Sequence, residues 1–464
     1  MADLRVSLTL SGGASLGAFQ AGAAAALLVG FDHARCEEGS DIRVDAIGGA
    51  SAGALVGLLT AFSLLEGADG PRLLSKAWVE EVDLEVLQEG DADGPLTLDG
   101  VRDRFPDLLA AAERDGNRAQ EGPLTMLVQL TGLRGLTYEI PGVRHDHPAR
   151  ASTFADWKRF DLSRCAGVEQ IVTPEGRSPL DFVIGSASHP GAFPPRLLDR
   201  SDDREVYERR GIVDFPDDGR LWYTDGGLVQ SEPVGRVVAA AHERQEEEGS
   251  PHLNLVIDAR SEAPDDASRW ADPNKGGGWI EGLARALAIF PAQALYDDMR
   301  RLQRDNERLN RLDEIIAAAA DRVGEDEAGK LRAEIVELAG LANKRRVDVD
   351  LISPLILSRE SGEAVSELLA GEHMGDFSGF LEEEFRRSDF ALGYECSVRW
   401  ARDCLDRYDL DDQVVQRSIE AMETGRLYDW DEVRRGAADT GDLSMRSRLR
   451  LARMAARAVR AVRS

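Results

Sequence analysis

The sequence VDAIGGASAGALVGLLTAFSLL, residues 44–65, decides the fold around it. A short apolar run ends at Ile47, two glycines follow, and a segment rich in Gly, Ala and Leu comes after Ser51. This order predicts a strand, a sharp turn and a helix, because glycine tolerates the backbone bend of such a turn. Residues 49–53 also fit the pattern G-x-S-x-G, in which the bend exposes a serine hydroxyl at the start of a helix. Ser51 is therefore a candidate nucleophile, although the same five letters also occur at ordinary turns.

The N-terminal stretch repeats this arrangement. Residues 5–10 (RVSLTL) predict a strand, residues 11–13 a glycine turn, and residues 16–29 an alanine-rich internal helix. A later run, LNLVIDA at 253–259, predicts a buried strand, and we expect the sheet to end there. Such alternation of strands and helices is typical of a mainly parallel sheet covered by helices. The sequence thus predicts an α/β fold of three layers, α/β/α.

The composition argues against several classes of function. The chain of 464 residues has a formal charge of −28, and we expect no nucleic acid partner because phosphate binding needs a basic surface. Four cysteines without a C-x-x-C pair indicate neither a disulfide framework nor a zinc site, and they suit a reducing cytoplasm. Two uncharged windows, 6–31 and 46–65, reach membrane-spanning length, but glycines and serines interrupt both where turns are needed. We interpret both windows as buried elements of a cytoplasmic protein.

The C-terminal half predicts helical additions to this fold. Between 261 and 278 the composition shifts to Asp, Pro, Asn and Gly, which marks a boundary. A long helix with an apolar residue every seven positions from Leu295 to Ile316 follows, and a second helix is expected over 328–344. We favour a helical hairpin within the chain, with a homodimer zipper through 292–344 as the alternative.

Residues 441–464 differ in charge from the rest of the chain. Seven arginines accompany one acidic residue there, and five of them recur at intervals of three or four residues. That spacing predicts a helix with one basic face. Such a helix would lie either on an anionic membrane surface, as a peripheral contact, or on the acidic body of its own protein.

A nucleophilic serine needs a base and hydrogen-bond donors for the oxyanion that forms on attack. The backbone amides of Gly12, Gly13 and Ala14 are candidate donors, because their loop precedes a helix N-terminus. A phosphate site is the alternative interpretation of this loop. The loop has no P-loop lysine, however, and it does not fit G-x-G-x-x-G.

Asp225 is the candidate base. It follows an apolar strand and precedes Gly226 and Gly227, which would bring its carboxylate to the same sheet edge as Ser51. A catalytic triad would instead need a histidine after the acid, as in the α/β-hydrolases. Three histidines satisfy that requirement by chain order alone, namely His242, His252 and His373. His189 comes before the acid beside a proline corner, and we interpret it as structural.

Together these motifs resemble those of the patatin-like phospholipases. The resemblance is carried by the loop 11–22, the serine elbow 49–53 and the acid motif 225–227. The corner 186–195 and the segments 377–381 and 385–393 are similar to further stretches of that family. With the boundaries above, we expect a patatin-like acyl hydrolase domain over 1–262 and a helical hairpin insertion over 263–345. A C-terminal helical part over 346–408 would pack on the hydrolase domain, and a helical tail would occupy 409–464.

The resemblance implies a two-residue machinery without a histidine. It assigns Ser51 as nucleophile, with Gly49 and Gly53 in its elbow, and Asp225 as direct general base. The substrates it implies are acyl esters of lipids, and it implies no metal and no cofactor. A Ser/Asp/His triad esterase and a non-catalytic lipid-binding or scaffolding protein are the alternatives.

Two positions depart from the pattern of the family. Ala14 stands where a third glycine is usual, and Leu16 stands where an Arg or Lys is usual. The amide of Ala14 remains available if its φ is negative. The replacement by Leu16 removes a fixed positive charge from the neighbourhood of the reacting atoms.

Overall fold

One eight-stranded sheet organises the computed structural model, which describes residues 3–90, 94–140, 149–229, 233–244, 252–260, 278–339, 341, 346–371, 376–408 and 410–439. The strands are β1 Asp3–Leu10, β2 Asp41–Gly49, β3 Leu124–Ile140, β4 Ala149–Leu162, β5 Arg196–Asp199, β6 Arg220–Thr224, β7 His252–Ile257 and β8 Val349–Ile352. Their order across the sheet is β5-β6-β3-β2-β1-β7-β8, and β4 pairs with β3 outside this path. Strands β3, β2, β1, β7 and β8 pair in parallel, whereas β4 and β6 run antiparallel to β3 and β5 antiparallel to β6.

Helices follow most of the strands. In the first half of the chain they are α1 Gly17–Cys36, α2 Ala52–Glu66, α3 Gly70–Ser75, α4 Asp99–Ala110, α5 Glu169–Val172, α6 Pro179–Ser186, α7 Arg204–Arg209 and α8 Val234–Glu243, with a π-helix at Lys76–Glu81. In the second half they are α9 Trp279–Val323, α10 Glu325–Leu338, α11 Leu355–Ser361, α12 Val365–Leu368, α13 Glu383–Cys404, α14 Asp412–Thr424 and α15 Trp430–Asp439.

Both faces of the central strands are apolar, so helices cover the sheet on both sides. Val44 and Ile47 of β2 belong to the main core. Ala46 of the same strand packs in a separate cluster with Val237 and Ala241 of α8. A buried, mainly parallel sheet of this kind needs helices on each face. The predicted three-layer α/β/α fold is confirmed.

The expectation that the sheet ends at residues 253–259 is wrong. Strand β8, Val349–Ile352, returns after the long helices and pairs in parallel with β7. Residues 347–351 (VDVDL) alternate apolar and acidic side chains, which is a strand pattern, but the strand has only four residues and sequence reasoning passed over it. The sheet therefore continues into the segment 346–408, for which we expected helices only.

Helix α1 is buried on all sides over residues 17–28. The helical stretch Ala14–Cys36 is apolar and long enough to cross a membrane, yet 89% of its most apolar window is buried inside the fold, as in a core helix. Helix α13 packs directly against it. A Cβ on Gly22 of α1 would lie 1.8 Å from the carbonyl oxygen of Phe390, and one on Gly393 would lie 1.9 Å from that of Phe19. The two helices therefore touch through their backbones.

Helices α9 and α10 contact each other, with an ion pair between Arg332 and Asp313. Leu302 of α9 also packs against the cluster formed by α8 and β7. The homodimer through 292–344 and the cytoplasmic location stay predictions. The basic tail 441–464 lies outside the described residues.

Candidate active site

Ser51 occupies the sharp turn between β2 and α2. Its backbone has φ 53° and ψ −126°, a strained conformation that non-glycine residues rarely adopt. The Ser51 amide donates a hydrogen bond to the hydroxyl of Ser186 at 2.9 Å, and that hydroxyl donates to the carbonyl oxygen of Gln129 at 2.6 Å. These bonds fix the turn to β3 and α6, so the Ser51 side chain is held at the carboxyl edge of the sheet.

Gly53 brings this turn close to the loop that follows β1. A Cβ on Gly53 would lie 2.4 Å from the carbonyl oxygens of Leu10 and Ser11. A Cβ on Gly49 would lie 2.7 Å from the carbonyl carbon of Gly53. Only glycine fits at these two positions, because real Cβ contacts are longer. The elbow and the candidate oxyanion loop are therefore neighbours.

Asp225 follows β6 and reaches Ser51 across β3. Its Oδ2 accepts a hydrogen bond from Ser51 Oγ at 2.6 Å, and its Oδ1 accepts one from the amide of Gly227 at 2.8 Å. Its own amide donates to the carbonyl oxygen of Ser188 at 3.0 Å. Both carboxylate oxygens are engaged, so the side chain is oriented with one oxygen aimed at the serine hydroxyl. The structure thus brings together the two side chains that the sequence singled out.

The carboxylate of Asp225 is only 4% exposed, and this burial raises its pKa above the usual value. The charge of His189, the hydrogen bond from Ser51, the amide of Gly227 and the charge of Arg260 act in the opposite direction. A carboxylate in such surroundings is a stronger base than one in water, so it is better suited to take a proton from a serine hydroxyl.

The loop of Gly12, Gly13 and Ala14 follows β1, whose last residue pairs with Gly49 of β2. Within the described part of the chain, the amides of Gly13 and Ala14 have no hydrogen-bond acceptor. The negative φ that we set as the condition for an available Ala14 amide is not met, although that amide has no acceptor among the described residues. Its φ is 44°, so the alanine keeps the left-handed conformation that favours glycine, at a cost of about 1–2 kcal/mol.

The histidines considered for a triad do not meet Ser51 in the described residues. His252 pairs in register with Arg5 near the opposite edge of the sheet, about 16 Å along the strands from the carboxyl ends. Its ring lies 4.9 Å from that of His242, and burial, helped by His242 and Arg5, lowers the pKa of His252 to about 3. His373 lies outside the described residues.

Three residues near the dyad were missed or set aside by sequence reasoning. His189 acts electrostatically on Asp225, its Nδ1 has no hydrogen-bond partner among the described residues, and its ring packs edge-on against Phe377. Arg260 and Asp376 form an ion pair of 3.0 Å beside the oxyanion loop. Sequence reasoning could have found Arg260, because it is a charged residue three positions after a buried strand. No sequence feature indicated Asp376.

Among the described residues, no cluster of three or more His, Cys, Asp or Glu side chains is arranged to hold a metal ion.

Comparison with known proteins finds a matching family and several similar solved structures. Residues 8–238 match the family model described as patatin-like phospholipase. The crystal structure of VipD from Legionella pneumophila is similar with 13% sequence identity and a TM-score of 0.30, covering 98% of this chain and 90% of that chain. No curated protein sequence matches this chain.

Proposed function

Since this chain belongs to the patatin-like phospholipase family, a family of lipid acyl hydrolases, we propose that it cleaves carboxylic esters of lipids with a Ser51/Asp225 dyad. The observation that carries this proposal is the hydrogen bond of 2.6 Å from Ser51 Oγ to Asp225 Oδ2. A serine in a strained turn, next to a buried carboxylate and a helix N-terminus, is the arrangement of an activated nucleophile.

In the first half of the reaction, Asp225 takes the proton of Ser51 while Oγ attacks the ester carbonyl carbon. The carbonyl oxygen becomes an oxyanion, and the amides of Gly12, Gly13 and Ala14 are the donors that we assign to it. When the tetrahedral intermediate collapses, the carbon–oxygen bond of the ester breaks. The protonated Asp225 then gives its proton to the leaving alcohol, and an acyl group remains on Ser51.

In the second half, a water molecule replaces the alcohol. Asp225 takes one proton of that water, whose oxygen attacks the acyl carbon. Collapse of the second tetrahedral intermediate releases the carboxylic acid, and the proton returns from Asp225 to Ser51. The second cycle of proton transfer uses the same pair of oxygens, so the dyad needs no further titrating group.

The test is hydrolysis of a p-nitrophenyl ester by five variants. We expect Ser51→Ala and Asp225→Asn each to lower kcat at least about 100-fold, because each removes one partner of the proton transfer. The histidine variants His242→Ala, His252→Ala and His373→Ala are matched controls that should keep wild-type activity. Loss of activity in a folded histidine variant would favour the triad esterase instead.

A non-catalytic lipid-binding or scaffolding protein is separated from an enzyme by a fluorophosphonate probe, which labels only an activated serine. We expect labelling of the wild type and none of Ser51→Ala. An unlabelled wild type would contradict the proposal. A panel of lipids with product mass spectrometry then identifies the acyl chain and head group that are released.

A further inference from the structure

The candidate oxyanion loop has no cationic side chain. Residues 11–17 contain neither Lys nor Arg. Leu16 is fully buried in the apolar core and projects no polar group toward Ser51. Any positive side chain at this loop must therefore come from another part of the chain.

Arg260 lies at this loop. It follows the carboxyl end of β7 by three residues, on the strand that pairs with β1. Its Nη2 atom is 3.7 Å from the position that a Cβ on Gly13 would take. Its Nε atom pairs with Oδ2 of Asp376 at 3.0 Å, and its backbone amide donates to Oδ1 of Asp258 at 2.9 Å. The side chain and the backbone of Arg260 are thus anchored separately.

Both anchors of Arg260 are bound in turn by serines of the loop. Ser11 Oγ donates to the same Oδ1 of Asp258 at 2.9 Å. Ser15 Oγ donates to the carbonyl oxygen of Asp376 at 2.5 Å and accepts the amide of Gly379 at 3.1 Å. The guanidinium is therefore held in a fixed relation to the loop rather than resting on its surface.

The groups around this loop are mostly acidic, and the guanidinium of Arg260 offsets their negative charge. Asp225, Asp258 and Asp376 place three carboxyl groups near the loop. Asp258 is 3% exposed, and the side chain of Asp376 is 15% exposed. The charge of Arg260 acts on both Asp225 and Asp376, lowering the pKa of each against the effect of burial. An oxyanion formed there adds a further negative charge, which these carboxylates repel unless a positive charge lies close to it.

We infer that Arg260 is a positioning residue for the reaction. Asp376 holds its side chain and Asp258 its backbone amide, and the guanidinium supplies the positive field at the loop of Gly13 in which the oxyanion forms and Asp225 stays ionised. This inference rests on the proposed function of the Ser51/Asp225 dyad. It assigns to a residue after β7 the charge that the loop itself does not carry.

The experiment compares Arg260→Gln and Arg260→Lys with Arg177→Gln in steady-state ester hydrolysis. Arg177 is a matched control, because its side chain is also 37% exposed and is paired to Asp199. We expect Arg260→Gln to lose roughly 10- to 100-fold in kcat with little change in KM, since the field acts on the transition state. Arg260→Lys should recover most of the loss, and Arg177→Gln should behave as the wild type.

The pH profile gives a readout that a merely structural role would not move. Asp225 is faced by the hydroxyl of Ser51, the amide of Gly227 and the charges of His189 and Arg260. Loss of Arg260 removes a positive charge that lowers the pKa of Asp225. The acidic limb of kcat/KM therefore moves to higher pH in Arg260→Gln and stays in place in Arg177→Gln.

A second variant keeps the test decisive if Arg260→Gln does not fold. Asp376→Asn releases the Nε anchor, and we expect it to lose activity in the same direction but by less. In the double variant the loss should not exceed that of Arg260→Gln, because both changes act through one guanidinium. Wild-type kcat and an unmoved acidic limb in folded Arg260→Gln would overturn the inference and leave the dyad standing. An inactive, unlabelled wild type would instead overturn the proposed function and this inference with it.

Discussion

Gly226→Ala tests how tightly the backbone behind Asp225 controls the dyad. A Cβ at position 226 would lie 2.1 Å from the carbonyl oxygen of Gln129 and 2.8 Å from the hydroxyl of Ser186. Contacts of a real Cβ stay above 3.0 Å, so the chain at 226 or at Gln129 has to move by about 1 Å. Each movement disturbs the dyad, because Gln129 holds Ser186, Ser186 holds the amide of Ser51, and Gly226 follows Asp225 directly.

The size of the effect follows from this displacement. A misplacement of reacting groups by 1 Å costs about 100-fold in rate, so we expect kcat of Gly226→Ala to fall by that factor. Overpacking of this kind also lowers the free energy of unfolding, by about 1–3 kcal/mol. Ester hydrolysis and urea denaturation measure the two effects on the same preparation.

Gly235→Ala is the matched control. Its site in α8 has no heavy atom within 4 Å of the added Cβ, so the methyl group meets open space. The substitution should leave kcat unchanged and raise the free energy of unfolding by up to about 1 kcal/mol, since alanine is the better helix former. A folded Gly226→Ala with kcat within twofold of the wild type would refute the argument that close packing aims Asp225 at Ser51.

Three further predictions follow from single residues. Burial raises the pKa of Asp225, which must be ionised to act as base, so kcat/KM should fall on acidification. The charge of His189 lowers that pKa, so the acidic limb should move to higher pH in His189→Ala. A limb unmoved by the variant would contradict the electrostatic contact. Ala14→Gly relieves the left-handed conformation but adds freedom to the unfolded chain, so urea denaturation should show a net gain of about 0.5–1 kcal/mol, and a loss would contradict the strain. Asp156→Asn removes the buried carboxylate that pairs with both Arg200 and Arg210, so the free energy of unfolding should fall by about 3–5 kcal/mol. A fall below about 1 kcal/mol would be evidence against this reasoning.

The central elements of the fold were predictable because their signals are local. The runs 5–10 and 44–47 are rich in apolar residues, glycine follows each within two positions, and a small-residue helix comes next. Three neighbouring segments therefore specify one strand-turn-helix unit. Glycine at position 53 marks a backbone contact that no side chain permits. Ser51 and Asp225 each sit at the end of a strand, which is why sequence reasoning expected them at one edge.

The features that sequence reasoning missed depend on contacts between distant residues. Strand β4 alternates buried and exposed positions only weakly, and its pairing with β3 gives it its structure. Arg260 and Asp376 are 116 positions apart, and nothing local indicates their ion pair. The positive φ of Ala14 is set by the loop and the helix behind it, against the preference of alanine itself.

The central claim is that Ser51 is activated by Asp225 directly. The rate constant of fluorophosphonate labelling, read by mass spectrometry on the peptide containing Ser51, tests it in a single measurement across wild type, Asp225→Asn and His189→Ala. We predict labelling at Ser51 that falls at least about 100-fold in Asp225→Asn and stays near the wild-type rate in His189→Ala at pH 8. Labelling at another serine, an undiminished rate in Asp225→Asn, or its loss in His189→Ala would contradict the dyad.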